Sequence, residues 1–140
     1  MQDIVLFMQH HLILSIAFFI ILVLLMIIEF LKQKTDSTQI SPAQLTHLIN
    51  RENAAIIDVR PTSLFADGHI IGSVSIPMAD FESKAKKFEK FKARPVVIVC
   101  MLGTDSSRAA TLLAKKGQQA RILKGGIDAW KKADMPLVKE

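Results

Sequence analysis

The sequence predicts an α/β domain with a mostly parallel central sheet and helices on both faces, preceded by one transmembrane helix. Three observations support this prediction: one long uncharged apolar run near the N-terminus, several short runs rich in β-branched residues, and segments of helical periodicity between those runs. The chain has 140 residues, of which 50% are hydrophobic and 22% are charged. After the apolar run, enough chain remains for one small domain with its own core and too little for two.

The transmembrane prediction depends on residues 12–28, which are 17 consecutive positions without a charge. A surface helix of a soluble protein would include charges within such a length. At 1.5 Å rise per residue the run spans roughly 25 Å, and residues 4–8, Phe30 and Leu31 extend it past the hydrocarbon core of about 30 Å. A cleaved signal peptide is the alternative, but Asp3 precedes the run, no Lys or Arg does, and no small-x-small cleavage motif follows it. A retained anchor is therefore favoured.

These patterns divide the chain into a transmembrane anchor over residues 1–31, a polar linker over 32–39 and a domain over 40–140. Lys32 and Lys34 follow the apolar run, whereas no basic residue precedes it. The positive-inside rule then predicts a single-pass membrane protein with its C-terminal domain in the cytoplasm.

Basic residues dominate the part of the chain after the apolar run. Residues 32–140 contain all 18 Lys and Arg residues and 11 of the 13 acidic ones, which gives a net charge of +7. The lysines cluster on one amphipathic stretch without an aromatic platform or a recognised nucleic-acid motif, and this disfavours nucleic-acid binding. Attraction to anionic lipid head groups fits better, because the basic domain would be held beside a bilayer.

Apolar periodicity predicts the order of the elements in the domain. Ser41 followed by Pro42 is typical of a helix start, and a helix is expected from 42 to about 51. Short β-branched runs predict buried parallel strands, and helical spacing predicts helices between them. The predicted strands are 54–59, 74–76, 95–100 and 120–123; the further helices are one over 81–91, one capped by Ser106 or Ser107 that runs to Lys116, and one containing Ile127 and Trp130, with Trp130 in the core.

Cys100 is the first candidate for chemistry, because it ends the most apolar of the predicted strands. Ligands of such folds bind in the loops that leave the carboxyl ends of the strands. Backbone N–H groups of the following turn, residues 101–105, and of the next helix can converge on the sulfur and stabilise a thiolate nucleophile. A small apolar residue at a strand end explains the same cysteine, and the pattern alone leaves both interpretations open. A single cysteine excludes an internal disulfide and a multi-cysteine metal site, and no metal or organic cofactor is indicated.

Several short motifs recur in order along the domain. They are Ile57-Asp58-Val59-Arg60, Phe65, Gly68-His69-Ile70-Ile71-Gly72-Ser73, Ile76-Pro77, Val96 to Cys100, the loop Cys-x-x-Gly-x-x-Ser from Cys100 to Ser106, Ala109-Ala110, and Leu123-Lys124-Gly125-Gly126 with Trp130. Each motif is weak when taken separately. Their order and spacing resemble those of a single-domain rhodanese, and with its N-terminal anchor the chain is similar to membrane-tethered bacterial rhodanese-like proteins. The resemblance implies a rhodanese-like α/β fold.

The resemblance also implies sulfur transfer. The cysteine of such proteins takes a sulfane sulfur, holds it as a persulfide, and passes it to a thiophile such as cyanide, a thiol or an acceptor protein. Carried over to this chain, Cys100 is the nucleophile, and Asp58 and Arg60 order the site from the neighbouring strand. The implied partners are a sulfane sulfur donor and a thiol acceptor. The implied substrate-binding loop consists of Met101, Leu102, Gly103, Thr104, Asp105 and Ser106.

Other functions compete with sulfur transfer. A phosphatase or arsenate reductase would need Arg six positions after the cysteine to bind an oxyanion through two hydrogen bonds, and that position is Ser106. The main alternative is a non-catalytic rhodanese adaptor, tethered to the membrane, that binds a membrane-protein partner while Cys100 is incidental. A contact between the transmembrane helix itself and such a partner is a further possibility.

Polar residues near the motifs have competing interpretations. The resemblance places Asp105 where many relatives have Arg or another non-acidic residue, and a carboxylate there should repel thiosulfate, so weak thiosulfate activity is expected. His69 is expected to make a structural hydrogen bond rather than to act as a base. Asp58 and Arg60 also fit a salt bridge at the end of a strand, without any part in the chemistry. Gly125-Gly126 favours turn geometry over phosphate binding.

Overall fold

The computed structural model describes residues 11–36 and 38–140, without the side chains of 31–36 and 85. The predicted extension of the anchor over residues 4–8 lies outside the described residues. The chain divides into two compact units, residues 1–37 and residues 38–140.

Within the residues that the structure describes, the first unit contains one helix, α1, over Leu12–Asp36. Its stretch Leu12–Phe30 is 19 residues long with a mean hydropathy of 3.1, so by length and composition it can cross a membrane. Large apolar side chains of this stretch are exposed, for example Ile13 at 83% and Phe30 at 69%. The helix continues to Asp36, through residues that the sequence pattern assigned to the linker.

The second unit is built on a five-stranded sheet in which every strand pair is parallel. The spatial order is β1-β5-β4-β2-β3, so the strands with the longest β-branched runs occupy the middle. This confirms the predicted parallel α/β architecture. The strands are β1 Gln39–Ile40, β2 Ala55–Asp58, β3 Val74–Ser75, β4 Val96–Val99 and β5 Arg121–Leu123.

Helices cover both faces of this sheet. Helix α2 begins as predicted, because the Ser41 side chain accepts the Gln44 N–H and the Gln44 side chain accepts the Ser41 N–H in a capping box, with Pro42 in the first turn. The α-helices of the unit are α2 Pro42–Glu52, α3 Thr62–Asp67, α4 Thr104–Lys115 and α5 Gly126–Lys132, and two 3₁₀ helices span Met78–Asp80 and Ala85–Phe91.

Alternation along the central strands separates two apolar clusters. Ile57 and Ile98 face a cluster covered by the second 3₁₀ helix and α4, whereas Ile56 and Val97 face a cluster covered by α2 and α5. Side chains of a strand point alternately to the two faces, so continuous β-branched runs are expected where both faces are buried. Trp130 is 3% exposed in the second cluster, which confirms its predicted place in the core.

The structure corrects the local predictions at four places. Residues 81–91 do not form the predicted α-helix but turns followed by a 3₁₀ helix. Helix α4 begins at Thr104 with Gly103 as its cap, not at Ser106 or Ser107. The two-residue strand β1 and the one-and-a-half-turn helix α3 were not predicted at all.

Candidate active site at the carboxyl edge of the sheet

The candidate site lies at one edge of the sheet, where the four strands β2, β3, β4 and β5 end. We call this the carboxyl edge and define it by the last residues of these strands, Asp58, Ser75, Val99 and Leu123. Parallel pairing places these residues at the same edge, and Asp58 lies directly between Ser75 and Val99 in the register. Cys100 follows Val99, so the predicted nucleophile is at this edge.

The Cys100 sulfur is held inside its own loop. The residue is only 2% exposed, and it belongs to the apolar cluster that α4 covers. The Gly103 N–H donates to the Cys100 Sγ at 2.8 Å. Among the described residues this is the one amide that donates to the sulfur, whereas the sequence predicted several. The next two side chains form the outer surface of the loop, with Met101 40% and Leu102 66% exposed.

Gly103 makes this contact possible through its backbone. Its φ of +116° lies in the region that favours glycine, and the chain turns there directly into α4. The helix therefore begins two residues before the predicted Ser106 cap, and Thr104 and Asp105 belong to its first turn. First-turn N–H groups have no acceptor within a helix, so this end presents a partial positive charge next to the cysteine loop.

Ser106 is fully buried in α4 rather than capping it. Its Oγ has no hydrogen-bond partner among the described residues. The Ser107 Oγ instead donates to the Gly103 carbonyl, as its own N–H does. A buried hydroxyl without a partner is unusual, since burying one costs free energy unless it is hydrogen-bonded.

The turn Gly125-Gly126 lies against the loop that follows Cys100. The Ile127 N–H donates to the Cys100 carbonyl at 2.9 Å and the Asp128 N–H to the Met101 carbonyl at 3.4 Å. A Cβ on Gly126 would stand against both carbonyl oxygens, and the φ of this residue is +58°. The predicted turn therefore also packs its backbone closely against the backbone of the cysteine loop. In the sequence, the glycine pair is the one signal of this contact.

Asp58 and Arg60 form a buried ion pair at the neighbouring strand end. The Arg60 Nη2 lies 2.7 Å from the Asp58 Oδ2, and the two side chains are 4% and 1% exposed. Arg60 also donates from Nε to the same carboxylate and from Nη2 to the Gly68 carbonyl at 2.8 Å. The Asp58 carboxylate and the Arg60 guanidinium are thus both hydrogen-bonded, and the ion pair fixes the loop after β2.

His69 has structural contacts. Its Nδ1 lies 2.9 Å from the Phe65 carbonyl, and its ring stacks on the Phe65 ring with centroids 3.8 Å apart. Its backbone pairs with Val138 through two hydrogen bonds of 2.9 Å. These contacts agree with the predicted structural role.

Asp105 is exposed in the first turn of α4 and forms no ion pair with the described residues. On the surface of α5, the Asp128 carboxylate raises the pKa of Lys132 above its ordinary value by hydrogen bonding and by charge. The structure thus brings the predicted loop, Cys100, and the Asp58–Arg60 pair to one edge of the sheet.

The match to known proteins agrees with this geometry. Residues 41–133 match the model of the rhodanese-like domain. The chain belongs to the rhodanese-like family. YibN of Escherichia coli (strain K12) is 33% identical over 141 residues, which cover 99% of each chain.

Two further relatives share the domain. The thiosulfate sulfurtransferase GlpE of Pseudoalteromonas translucida is 34% identical over 95 residues, which are 67% of this chain and 89% of that protein. The crystal structure of a rhodanese-related protein from Thermoplasma volcanium superposes with a TM-score of 0.67 at 27% identity and covers 73% of this chain and 98% of that one. These relationships support a sulfurtransferase-type activity in general, without defining the reaction.

Proposed function

We propose that this protein is a membrane-anchored rhodanese-like sulfurtransferase that takes a sulfane sulfur onto Cys100 and passes it to a thiol acceptor. The observation behind the proposal is the 2.8 Å contact between the Gly103 N–H and the Cys100 Sγ, at the carboxyl edge of a rhodanese-like sheet. The relationship to a thiosulfate sulfurtransferase gives independent support.

The reaction is two successive displacements at sulfur. The Cys100 thiolate attacks the outer sulfur of the donor, the new S–S bond forms, and the donor's own S–S bond breaks. The leaving group, sulfite from thiosulfate or a thiolate from a persulfide, departs with the electron pair. An acceptor thiolate then attacks the terminal sulfur on Cys100, takes it as a persulfide, and restores the Cys100 thiolate. Neither displacement needs an external oxidant or reductant.

The loop supports both steps through its amides. Negative charge develops on sulfur during each displacement, and N–H groups fixed in advance stabilise such charge without reorganising. Gly103 supplies one such group, and the N-terminal turn of α4 contributes the positive end of its dipole. Burial of Cys100, which is 2% exposed, keeps water away from the persulfide and so protects it from hydrolysis.

Localisation follows from the anchor. Helix α1 would hold the domain at the inner membrane of a bacterium, with the domain in the cytoplasm because Lys32 and Lys34 follow the apolar stretch. Cytoplasmic thiols would then be available as acceptors, and the reducing environment would keep Cys100 reduced.

The proposal is tested by the intact mass of the purified protein after incubation with thiosulfate or with low-molecular-weight persulfides. We expect one added sulfur on the wild-type protein and none on Cys100→Ala. The added sulfur should leave with dithiothreitol, because a persulfide is reduced by thiols. Absence of the adduct with every donor would contradict the proposal.

One observation favours a second candidate, a tethered adaptor that binds a membrane-protein partner. Cys100 is 2% exposed among apolar neighbours, as expected for a packing residue. In that case Cys100→Ala would retain full function in cells, and replacing α1 by an unrelated apolar span would abolish function if the helix itself contacts the partner. The sulfurtransferase proposal predicts the reverse outcome for both variants.

A further inference from the structure

A groove lined by lysines lies on the second unit, away from the candidate active site. It has a volume of about 270 Å³ and is formed between the second 3₁₀ helix and the C-terminal end of α4. Phe88 and Leu113 form its apolar floor. We call this feature the lysine groove and define it by the three basic residues that line it, Lys86, Lys92 and Lys116.

The lysine groove is at the opposite edge of the sheet from Cys100. Lys92 precedes the first residue of β4, Val96, and Lys116 precedes the first residue of β5, Arg121. Strands β4 and β5 are parallel neighbours, so their first residues share the edge at which strands begin, which we call the amino edge. The chain also enters the sheet here, because β1 begins at Gln39 and pairs in parallel with β5.

The groove has an excess of positive charge. Glu89 is the one carboxylate that lines it, against three lysines, and it pairs weakly with Lys92 at 3.7 Å. Lys84 on the adjoining segment is neutralised by Asp80 at 2.8 Å. Within the described residues, no ion pair involves Lys86, Lys87, Lys90 or Lys116.

The tether limits what can lie near this edge. Seven residues separate Phe30, the end of the apolar stretch, from Thr38. Even fully extended, they reach about 25 Å. If α1 is inserted in a membrane, this length limits the distance between the membrane surface and Thr38, which lies next to the amino edge.

We infer that the lysine groove binds the anionic phospholipid surface of the membrane that holds the anchor. Its lysines would meet lipid phosphates at the membrane surface. Each basic residue near an anionic membrane surface favours binding, and several act together. This inference depends on the membrane tether of the proposed function but not on its sulfur chemistry.

The test uses the full chain in lipid nanodiscs and measures how fast each lysine reacts with an amine reagent, by peptide mass spectrometry. Discs of phosphatidylcholine are compared with discs that contain phosphatidylglycerol. We expect at least about fivefold slower labelling of Lys86 and Lys116 in the anionic discs, reversed by high salt because the contact is electrostatic. Lys131 and Lys139, exposed elsewhere in the same molecule, are the internal controls and should change less than twofold.

A second measurement does not need the anchor. Residues 38–140 can be tested alone. The match to the solved Thermoplasma relative covers 98% of that chain but only 73% of this one, so the relative has this fold without a counterpart of α1 in the match. Binding to phosphatidylglycerol vesicles should weaken by about thirtyfold in Lys86→Glu/Lys116→Glu. The control Lys131→Glu/Lys139→Glu has the same net charge and should bind as the wild type does.

Three results would overturn the inference. The first is an equal loss of vesicle binding in the two double variants, and the second is an equal slowing of labelling at all four lysines. The third is binding that does not depend on phosphatidylglycerol. A persulfide assay on the same samples separates the two proposals. Vesicle binding without any persulfide would leave the groove inference standing and remove the sulfurtransferase, and a persulfide without lipid dependence would do the opposite.

Discussion

The two edges of the sheet differ in how far their polar residues are buried and paired. At the carboxyl edge, Asp58 and Arg60 are 1% and 4% exposed and bonded to each other, and Ser106 is fully buried. At the amino edge, Lys86 and Lys116 are exposed and have no ion pair among the described residues. Buried, fixed polar groups suit chemistry that needs fixed geometry, whereas solvated charges suit a surface that meets a changing, charged partner.

The carboxyl edge should determine both stability and sulfur chemistry, because removing one buried polar group leaves another without its partner. The amino edge should affect neither, because water replaces any partner that a lysine loses. Substitutions matched in chemistry but placed at the two edges can separate these contributions.

The largest effect on stability is expected from Arg60→Met. It would leave the buried Asp58 carboxylate without a cation and the Gly68 carbonyl without its donor, at a cost of about 3–5 kcal/mol in the free energy of unfolding. The matched variant Lys86→Met should change it by less than about 0.5 kcal/mol. Urea unfolding of the two variants measures both.

The double variant Asp58→Asn/Arg60→Met serves as the control for this prediction. It removes both charges, so we expect it to lose less stability than Arg60→Met alone. Equal small losses in Arg60→Met and Lys86→Met would contradict the account of the carboxyl edge.

A smaller loss of stability is expected from Gly126→Ala, and Gly117→Ala is its control. Both glycines have positive φ, +58° and +79°, so both substitutions strain the backbone by roughly 1–2 kcal/mol. Only at Gly126 would the new Cβ meet other atoms, the carbonyl oxygens of Cys100 and Met101, whereas Gly117 has nothing within 4 Å. The free energy of unfolding should therefore fall by about 2 kcal/mol more in Gly126→Ala, which lowers the melting temperature by roughly a further 8–16 °C. Similar melting temperatures would mean that the loop moves aside without cost.

The smallest effect concerns the donor rather than the fold. Asp105→Arg replaces an exposed carboxylate in the first turn of α4 by a cation, so the KM for thiosulfate should fall about fivefold. The free energy of unfolding should fall by no more than about 1 kcal/mol, the cost of a cation at a helix N-terminus. Glu52→Arg makes the same change of charge at the end of α2, beside the amino edge, and should leave the KM unaltered. Steady-state turnover of thiosulfate and cyanide compares them. No gain from Asp105→Arg, or an equal gain from Glu52→Arg, would show that the Asp105 side chain is directed away from the site.

The sequence predicted the central strands because their side chains are buried on both faces. Apart from Asp58, Ala55–Asp58 and Val96–Val99 consist of Ala, Val and Ile, a pattern typical of strands buried on both faces. β1 could not be predicted in this way, because Gln39 and Ile40 form a strand only through hydrogen bonds to a neighbour distant in sequence. The pattern predicts an α-helix over 81–91 where the structure has a 3₁₀ helix at Ala85–Phe91, because Phe88 and Phe91, three positions apart, fit either period.

Prediction of the site was partial for similar reasons. The position of Cys100 at a strand end follows from local sequence, and so does the proximity of Asp58 once the strands are known to be parallel. The support under Gly126 involves two backbones that meet only in the folded chain, and Gly103 rather than Ser106 caps α4 because its backbone adopts a positive φ. Neither feature has a signal stronger than the glycine itself.

The most direct test of the account is a single-turnover transfer from the persulfidated protein to a thiol acceptor in the absence of free donor. The protein is loaded with one sulfur, freed of donor, and mixed with an excess of a small thiol, and both products are followed by mass. We expect the added sulfur to leave Cys100 and to appear in equal amount as a persulfide of the acceptor. A sulfur that stays on the protein, or that is found on Cys100→Ala as well, would contradict the assignment of Cys100 as a sulfur carrier.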